Sequence, residues 1–174
     1  MDAGLAYRLE LAENPQLPLS FCANATYFKM YFSDVGLLRR KAGVSYRTIL
    51  EEDPLYGTFK GALTENYVLT ELIAQWIKPY FWRSGNTAEL DFLFEDGGRM
   101  IPMEVKAQQH TRAKSYLQFC KRYSPELGFR CSMKNVGINN VGETVTCSVP
   151  LYLLWRLGKY LKENQMMKKT PSDL

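Results

Sequence analysis

A chain of 174 residues with 46% hydrophobic and 23% charged side chains suits one folded domain with an appendage, and it is too short for two enzymes. No apolar run reaches the roughly 18–20 residues of a membrane helix, and the first ten residues lack the basic start of a signal peptide. The net charge of +4 is unevenly placed, with +2, −6 and +8 on residues 1–50, 51–104 and 105–174, so an acidic block that suits a cation precedes a basic one that suits a polyanion; scattered solvated charge is the plainer alternative.

In chain order, residues 6–11 alternate as a strand, Asn14-Pro15-Gln16-Leu17-Pro18 is a loop by composition, and residues 27–32 form an aromatic strand. Ser33 or Asp34 caps a short helix through Leu38 to Lys41. These pieces make no core alone, so residues 1–50 read as an N-terminal appendage to the domain of residues 51–161. From Gly57 the pattern firms. Phe59, Ala62, Val68, Leu69, Leu72, Ile73 and Trp76 recur at helical spacing over residues 58–77, and Pro79 stops the helix. Short strands follow at 80–83, 89–95 and 100–106, the last two joined by Asp96-Gly97-Gly98-Arg99, a strong hairpin signal. Residues 113–123 read as a helix closed by Ser124-Pro125. Strands at 129–133 and 144–149 and a helix at 151–161 come next, and residues 162–174 are a polar tail. The order predicts a mixed α/β domain.

The hairpin carries the chemistry. A turn at Gly97-Gly98 pairs residues whose numbers sum to 195, which sets Leu90, Phe92 and Phe94 against Val105, Met103 and Ile101 on an apolar face. The same register sets Asp91 across from Glu104 and Glu89 across from Lys106. Two carboxylates facing each other repel unless neutralised, and a divalent cation is the economical answer: Mg²⁺ takes a couple of carboxylates plus waters and phosphate oxygens. Lys106 beside them is placed to hold or deprotonate an attacking water. Glu65, in line with Val68, Leu69 and Leu72 on the preceding helix, supplies a third carboxylate. The competing reading makes these charges a solvated sheet face, with Lys106 and Glu89 as a cross-strand ion pair.

Glu65 on a first helix, Asp91 on a second strand and Glu104-Val105-Lys106 on a third resemble the PD-(D/E)XK, or restriction-endonuclease-like, nuclease superfamily. The αβββαβ order around them, over about residues 57–133, is similar to that superfamily's core. The phrases FKMYFSDVGLL (28–38), GTFKGALTENYVLTEL (57–72), YFWRSGNTAELDFLF (80–94) and IPMEVKAQ (101–108) resemble the domain of unassigned function that follows the ATPase module in many prokaryotic AAA-type ATPases. The resemblance implies metal ligands at Asp91, Glu104 and Glu65, a catalytic lysine at Lys106, one or two Mg²⁺ or Mn²⁺ ions, and hydrolysis of a nucleic-acid phosphodiester. It also implies that an ATPase and a winged-helix segment precede residue 1 in a parent chain. Leu90 stands where the motif's name has proline. The alternative function is a non-catalytic domain that binds DNA or protein and regulates the ATPase.

Around these residues, Arg112, Lys114, Lys121, Arg122, Arg130 and Lys134, with Tyr116 and Tyr123 between them, form a candidate phosphate-tracking surface, which a solvated helix face explains nearly as well. His110 reads as a surface turn residue. Trp76, Trp82 and Trp155 read as core or interface anchors rather than base-stacking platforms. Cys22, Cys120, Cys131 and Cys147 form no CxxC pair and, with one histidine, assemble no zinc box; they read as buried apolar fillers in a reducing cytoplasm. The expected partners are nucleic acid, DNA first, and the ATPase module of the same parent chain, with no membrane; self-association stays open. No P-loop is present, so no ATPase activity of that kind is expected from these residues.

Overall fold

The computed structural model describes residues 4–51, 54–85, 88–107 and 114–166. Eight strands form one mixed sheet: β1 (Ala6–Ala12), β2 (Ala23–Phe32), β3 (Tyr80–Ser84), β4 (Ala88–Asp96), β5 (Arg99–Val105), β6 (Leu127–Ser132), β7 (Gly137–Val141) and β8 (Thr144–Pro150), in the order β2-β1-β3-β4-β5-β6-β8-β7. Among the described residues five α-helices accompany it: α1 (Val35–Lys41), α2 (Tyr46–Leu50), α3 (Gly57–Ala74), α4 (Lys114–Tyr123) and α5 (Leu157–Met166). The run α3-β3-β4-β5-α4-β6 is the expected αβββαβ order. No helix among the described residues is long and apolar enough to cross a membrane.

Helices α3 and α4 cover opposite faces of the sheet. Alternate residues of a strand point to opposite sides, and the two cores divide accordingly. Val68, Leu69 and Leu72 of α3 pack on Phe92, Phe94, Ile101 and Met103, joined by Leu154, Leu157 and Leu161 from the C-terminal elements. Tyr116 and Phe119 of α4 pack on Trp82, Leu90 and Leu93. Trp82 meets Phe119 edge-on at 5.1 Å, a favourable aromatic geometry.

The opening residues join this sheet. β1 pairs antiparallel with β2 and touches β3 at Leu11↔Phe81. The Leu19 backbone N–H donates to Glu95 Oε2 at 2.7 Å, tying the first loop to β4. Asn66 on α3, 1% exposed, clasps β2 from the side: the Phe32 N–H donates to its Oδ1 at 2.8 Å, and its Nδ2 donates to the Phe32 carbonyl at 2.9 Å. Asp34 caps α1 as expected, accepting from the N–H groups of Gly36 and Leu37.

Several expectations need correction. The long helix stops at Ala74 rather than reaching 77. Trp76 then takes φ 61°, with its N–H on the Ile73 carbonyl and the Ile77 N–H on the Leu72 carbonyl, so the indole leaves the apolar stripe and is 97% exposed. Trp155 is also exposed; Trp82 is core as expected. Residues 151–156 form a 3-10 turn before α5, which continues to Met166 into the expected tail. Both α2 and β7 went unpredicted. Cys120, Cys131 and Cys147 are buried, Cys22 is half-buried, and no disulfide links them.

Gly128 on β6 is required by a close approach. A Cβ there would lie 2.2 Å from the Tyr116 hydroxyl and 3.1 Å from the Pro102 carbonyl oxygen. Gly128→Ala is therefore expected to destabilise the domain by about 1–3 kcal/mol, as overpacked cores do. Adding Tyr116→Phe should recover part of the lost melting temperature, since it removes the nearest clashing atom; no recovery in the double variant would refute this account.

Candidate functional site

The hairpin turn has the expected chemistry. Gly97 and Gly98 take φ of 55° and 73°, the left-handed pair that a tight two-residue hairpin turn needs. From it the ladder runs Asp96↔Arg99, Glu95↔Met100, Phe94↔Ile101, Leu93↔Pro102 and Phe92↔Met103, each pair obeying the expected register. There the pairing ends, one step short of Asp91 and Glu104.

The cause lies on the other edge of β4. Against β3 the register shifts from Tyr80↔Leu93 to Trp82↔Leu90, so Asp91 and Phe92 together oppose Phe81. This is a β-bulge, which bends a strand and re-aims a side chain. The Asp91 carboxylate fills the place of the missing ladder bond, its Oδ2 accepting the Val105 N–H at 2.7 Å. The bulge also turns Leu90 to the α4 side, against Trp82 and Tyr116, rather than to the face of Phe92 and Phe94 where the simple alternation put it.

Glu104 is 3% exposed. Its Oε1 lies 2.5 Å from Lys106 Nζ, while its Oε2 is buried with no hydrogen-bond partner among the described residues. Arg130 pairs with Glu104 in the β5–β6 register and adds positive charge. Burial raises the Glu104 pKa above the usual carboxylate range, with Lys106 and Arg130 opposing and Glu65 assisting. Asp91 is pushed up to about 8, first by burial and then by the charges of Glu104 and Glu65. The Lys106 N–H donates to the Cys131 carbonyl at 2.8 Å, so the lysine backbone is held by β6. Lys106 thus pairs with Glu104, not Glu89. Glu89 instead meets Lys29 and Arg83, the latter at 2.9 Å; burial works to raise its pKa, but these two cations hold it below the usual range.

Glu65 reaches the cluster from α3 through Tyr31, whose hydroxyl donates to Glu65 Oε2 at 3.2 Å. Burial raises the Tyr31 pKa, with the adjacent Glu65 next in weight. Tyr31 and Lys29 are site residues that sequence reasoning missed, and Arg130, read there only as part of the basic surface, belongs beside Glu104. Their signal is long-range strand order, which no local pattern carries. Lys114, Lys121 and Arg122 sit exposed on α4, across the sheet from α3, with Arg122 lying over the Tyr123 ring. Arg112 and His110 lie outside the described residues.

Among the described residues no three His, Cys, Asp or Glu side chains stand as a ready-made metal group. Two carboxylates do suit a hard cation that keeps several of its waters. A buried carboxylate oxygen without a partner, beside an acid that burial and its neighbours force to hold its proton, is an arrangement that a cation would relieve.

Comparison with known proteins gives kinship without an assigned activity. Uncharacterized proteins of Mycobacterium tuberculosis and Mycobacterium bovis are each 40% identical over 81 residues, covering 45% of this chain and 17% of theirs. The match thus spans a small part of those relatives' own length. No solved structure matches the chain. The family model described as "Domain of unknown function (DUF4143)" matches residues 60–152, more than half the chain and including Glu65, Asp91, Glu104 and Lys106, and the chain belongs to that family.

Proposed function

We propose that this domain hydrolyses nucleic-acid phosphodiesters with a divalent cation, Mg²⁺ or Mn²⁺, held by Asp91 and Glu104. The observation that carries the reading is the unpartnered, buried Glu104 Oε2 beside the bulge-borne Asp91, with Lys106 on the second Glu104 oxygen. When bound, such a cation polarises a phosphoryl oxygen and lowers the pKa of its water. The chain does the rest. Asp91 yields its proton to bind, and the Val105 N–H fixes its carboxylate. Glu104 binds through the oxygen that Lys106 leaves open. Lys106 Nζ, two residues on, orients the attacking oxygen and manages its proton. Glu65, one oxygen engaged by Tyr31, adds charge at the rim rather than a fully free ligand.

A second reading, a non-catalytic regulatory domain docking on the ATPase module of a longer parent chain, is favoured by one observation. Helices α1 and α2 and the turn after them bury no residue and expose Leu37, Tyr46, Leu50 and Leu55.

The test combines stability and cleavage. A cation at a hundredfold excess over its dissociation constant adds about 2.7 kcal/mol of stability by mass action. Mg²⁺ or Mn²⁺ should therefore raise the melting temperature of wild type and not of Asp91→Asn, and labelled DNA or RNA should be cut only when the cation is present. A flat melting profile without cleavage overturns the phosphodiesterase and leaves the docking reading.

A further inference from the structure

The indole of Trp76 occupies a position where physics favours glycine. It follows the last turn of α3 in a Schellman-type ending, with the Trp76 N–H on the Ile73 carbonyl and the Ile77 N–H on the Leu72 carbonyl, at the left-handed φ of 61°. A side chain there strains the backbone, and at 97% exposure this one gains almost no packing in return.

Beside it lies a cleft of about 360 Å³. Among the described residues β1 and β3 share one register pair, Leu11↔Phe81, so the ladder between them is short. Tyr7, Arg8, Leu69, Ile73, Lys78 and Tyr80 line the cleft together with Trp76. Lys78 Nζ rests 5.4 Å over the Tyr80 ring, with no acid in ion-pair reach among the described residues. Arg8 is half exposed, over the Phe28 ring at 4.3 Å, with Nη2 donating to the Ala25 carbonyl and Nε 3.7 Å from Glu10 Oε1, the one acid lining the cleft among the described residues.

Along α3, Glu65, Leu69 and Ile73 follow one another at four-residue steps on one face and lead from the carboxylate site to Trp76. Eleven residues at 1.5 Å each make this path roughly 16 Å.

We propose that Trp76 and this cleft bind a single-stranded segment of nucleic acid, a base stacking on the exposed indole and the neighbouring phosphates lying against Lys78 and Arg8. A flat aromatic face flanked by cations is the arrangement that captures single strands without reading their sequence. A duplex keeps its bases stacked internally and cannot offer one to Trp76. The choice of ligand rests on the nucleic-acid reading of the carboxylate site, and the segment bound here would be the strand trailing from that site.

The experiment measures binding of a labelled oligothymidylate by fluorescence anisotropy in EDTA, where no cleavage is needed, together with thermal melting. Trp76→Gly should melt about 1–4 °C higher, because the left-handed position is relieved. It should also bind the oligonucleotide about 5- to 150-fold more weakly, the worth of one stacked base. Trp76→Phe should keep most of the affinity, and the matching duplex should bind more weakly than the single strand. Unchanged oligonucleotide affinity in Trp76→Gly, or a duplex bound as well as the single strand, overturns the proposal and leaves the indole as an anchor for a protein partner. A lower melting temperature refutes the strain argument on which it stands. Trp76-dependent binding by a wild type that cuts nothing would sustain this site and sink the phosphodiesterase; cleavage with Trp76-independent binding would do the reverse.

Discussion

Lys106→Ala is expected to reduce cleavage by about 10²- to 10⁴-fold while oligonucleotide binding in EDTA persists. The side chain is a quarter exposed and its ammonium pairs only with Glu104 among the acids described, so its removal breaks no other ion pair. The backbone at 106 stays in place because its N–H bond to the Cys131 carbonyl does not involve the side chain. Alanine does leave both oxygens of a buried Glu104 without a partner, and Glu104 then holds a proton more tightly. A weakened cation response would therefore accompany the variant at low pH and recover as pH rises. Lys106→Gln restores a donor to Glu104 without an amine. It should repair the cation response and not the rate. If Lys106→Gln cuts as fast as wild type, Lys106 is only a neutraliser of Glu104 and the proposed handling of the attacking oxygen is wrong.

Asp91→Asn is expected to stabilise the cation-free domain at pH 8 by on the order of 2 kcal/mol or more, while abolishing cation binding. The sign follows from the two protonation states. The folded-state pKa of Asp91 stands at about 8, against roughly 3.9 for an unfolded aspartate. Between those values the unfolded chain has released the proton and the folded chain still holds it, so stability falls as pH rises through the window from about 4 to 8. Asparagine has no proton to lose and still presents an oxygen to the Val105 N–H, so its pH profile should be flatter and should diverge from wild type upward with pH. Saturating Mg²⁺ should close the gap by stabilising wild type alone. Parallel profiles for the two proteins from pH 4 to 8, measured by denaturant unfolding, would show that Asp91 is not the strained acid described.

What could be read from sequence and what could not divide along a physical line. The turn Asp96-Gly97-Gly98-Arg99 fixes its own register, since only glycine enters two left-handed positions cheaply, and the pairs from Phe92↔Met103 to Asp96↔Arg99 follow from it. The apolar stripe Val68, Leu69, Leu72 locates α3 in the same way. The bulge at Asp91 and Phe92 is set by β3, a partner whose distance along the chain hides it, and so the facing of Leu90 was misread. The contact between Tyr31 and Glu65 joins residues 34 apart across a sheet order that no local pattern contains. Strand β7 escaped because Gly137-Ile138-Asn139-Asn140-Val141 is largely exposed and mostly polar, with no buried face to impose alternation. The helix end at Ala74 was obscured because tryptophan stands where glycine ordinarily marks the stop.

The extra residue in β4 divides the inheritance of this strand. Residues 88–90 are counted from β3, and residues 92–96 from the turn that joins β4 to β5. Between the two counts stands Asp91, whose place is held by a backbone hydrogen bond rather than by the fit of its neighbours. The hairpin tip can therefore drift in length by whole pairs, and its apolar residues can be exchanged over evolutionary time, without moving the acid relative to β3. The opposite half can likewise be rebuilt against α4 without disturbing the hairpin. One inserted residue sets the acid apart from both halves of the strand that carries it.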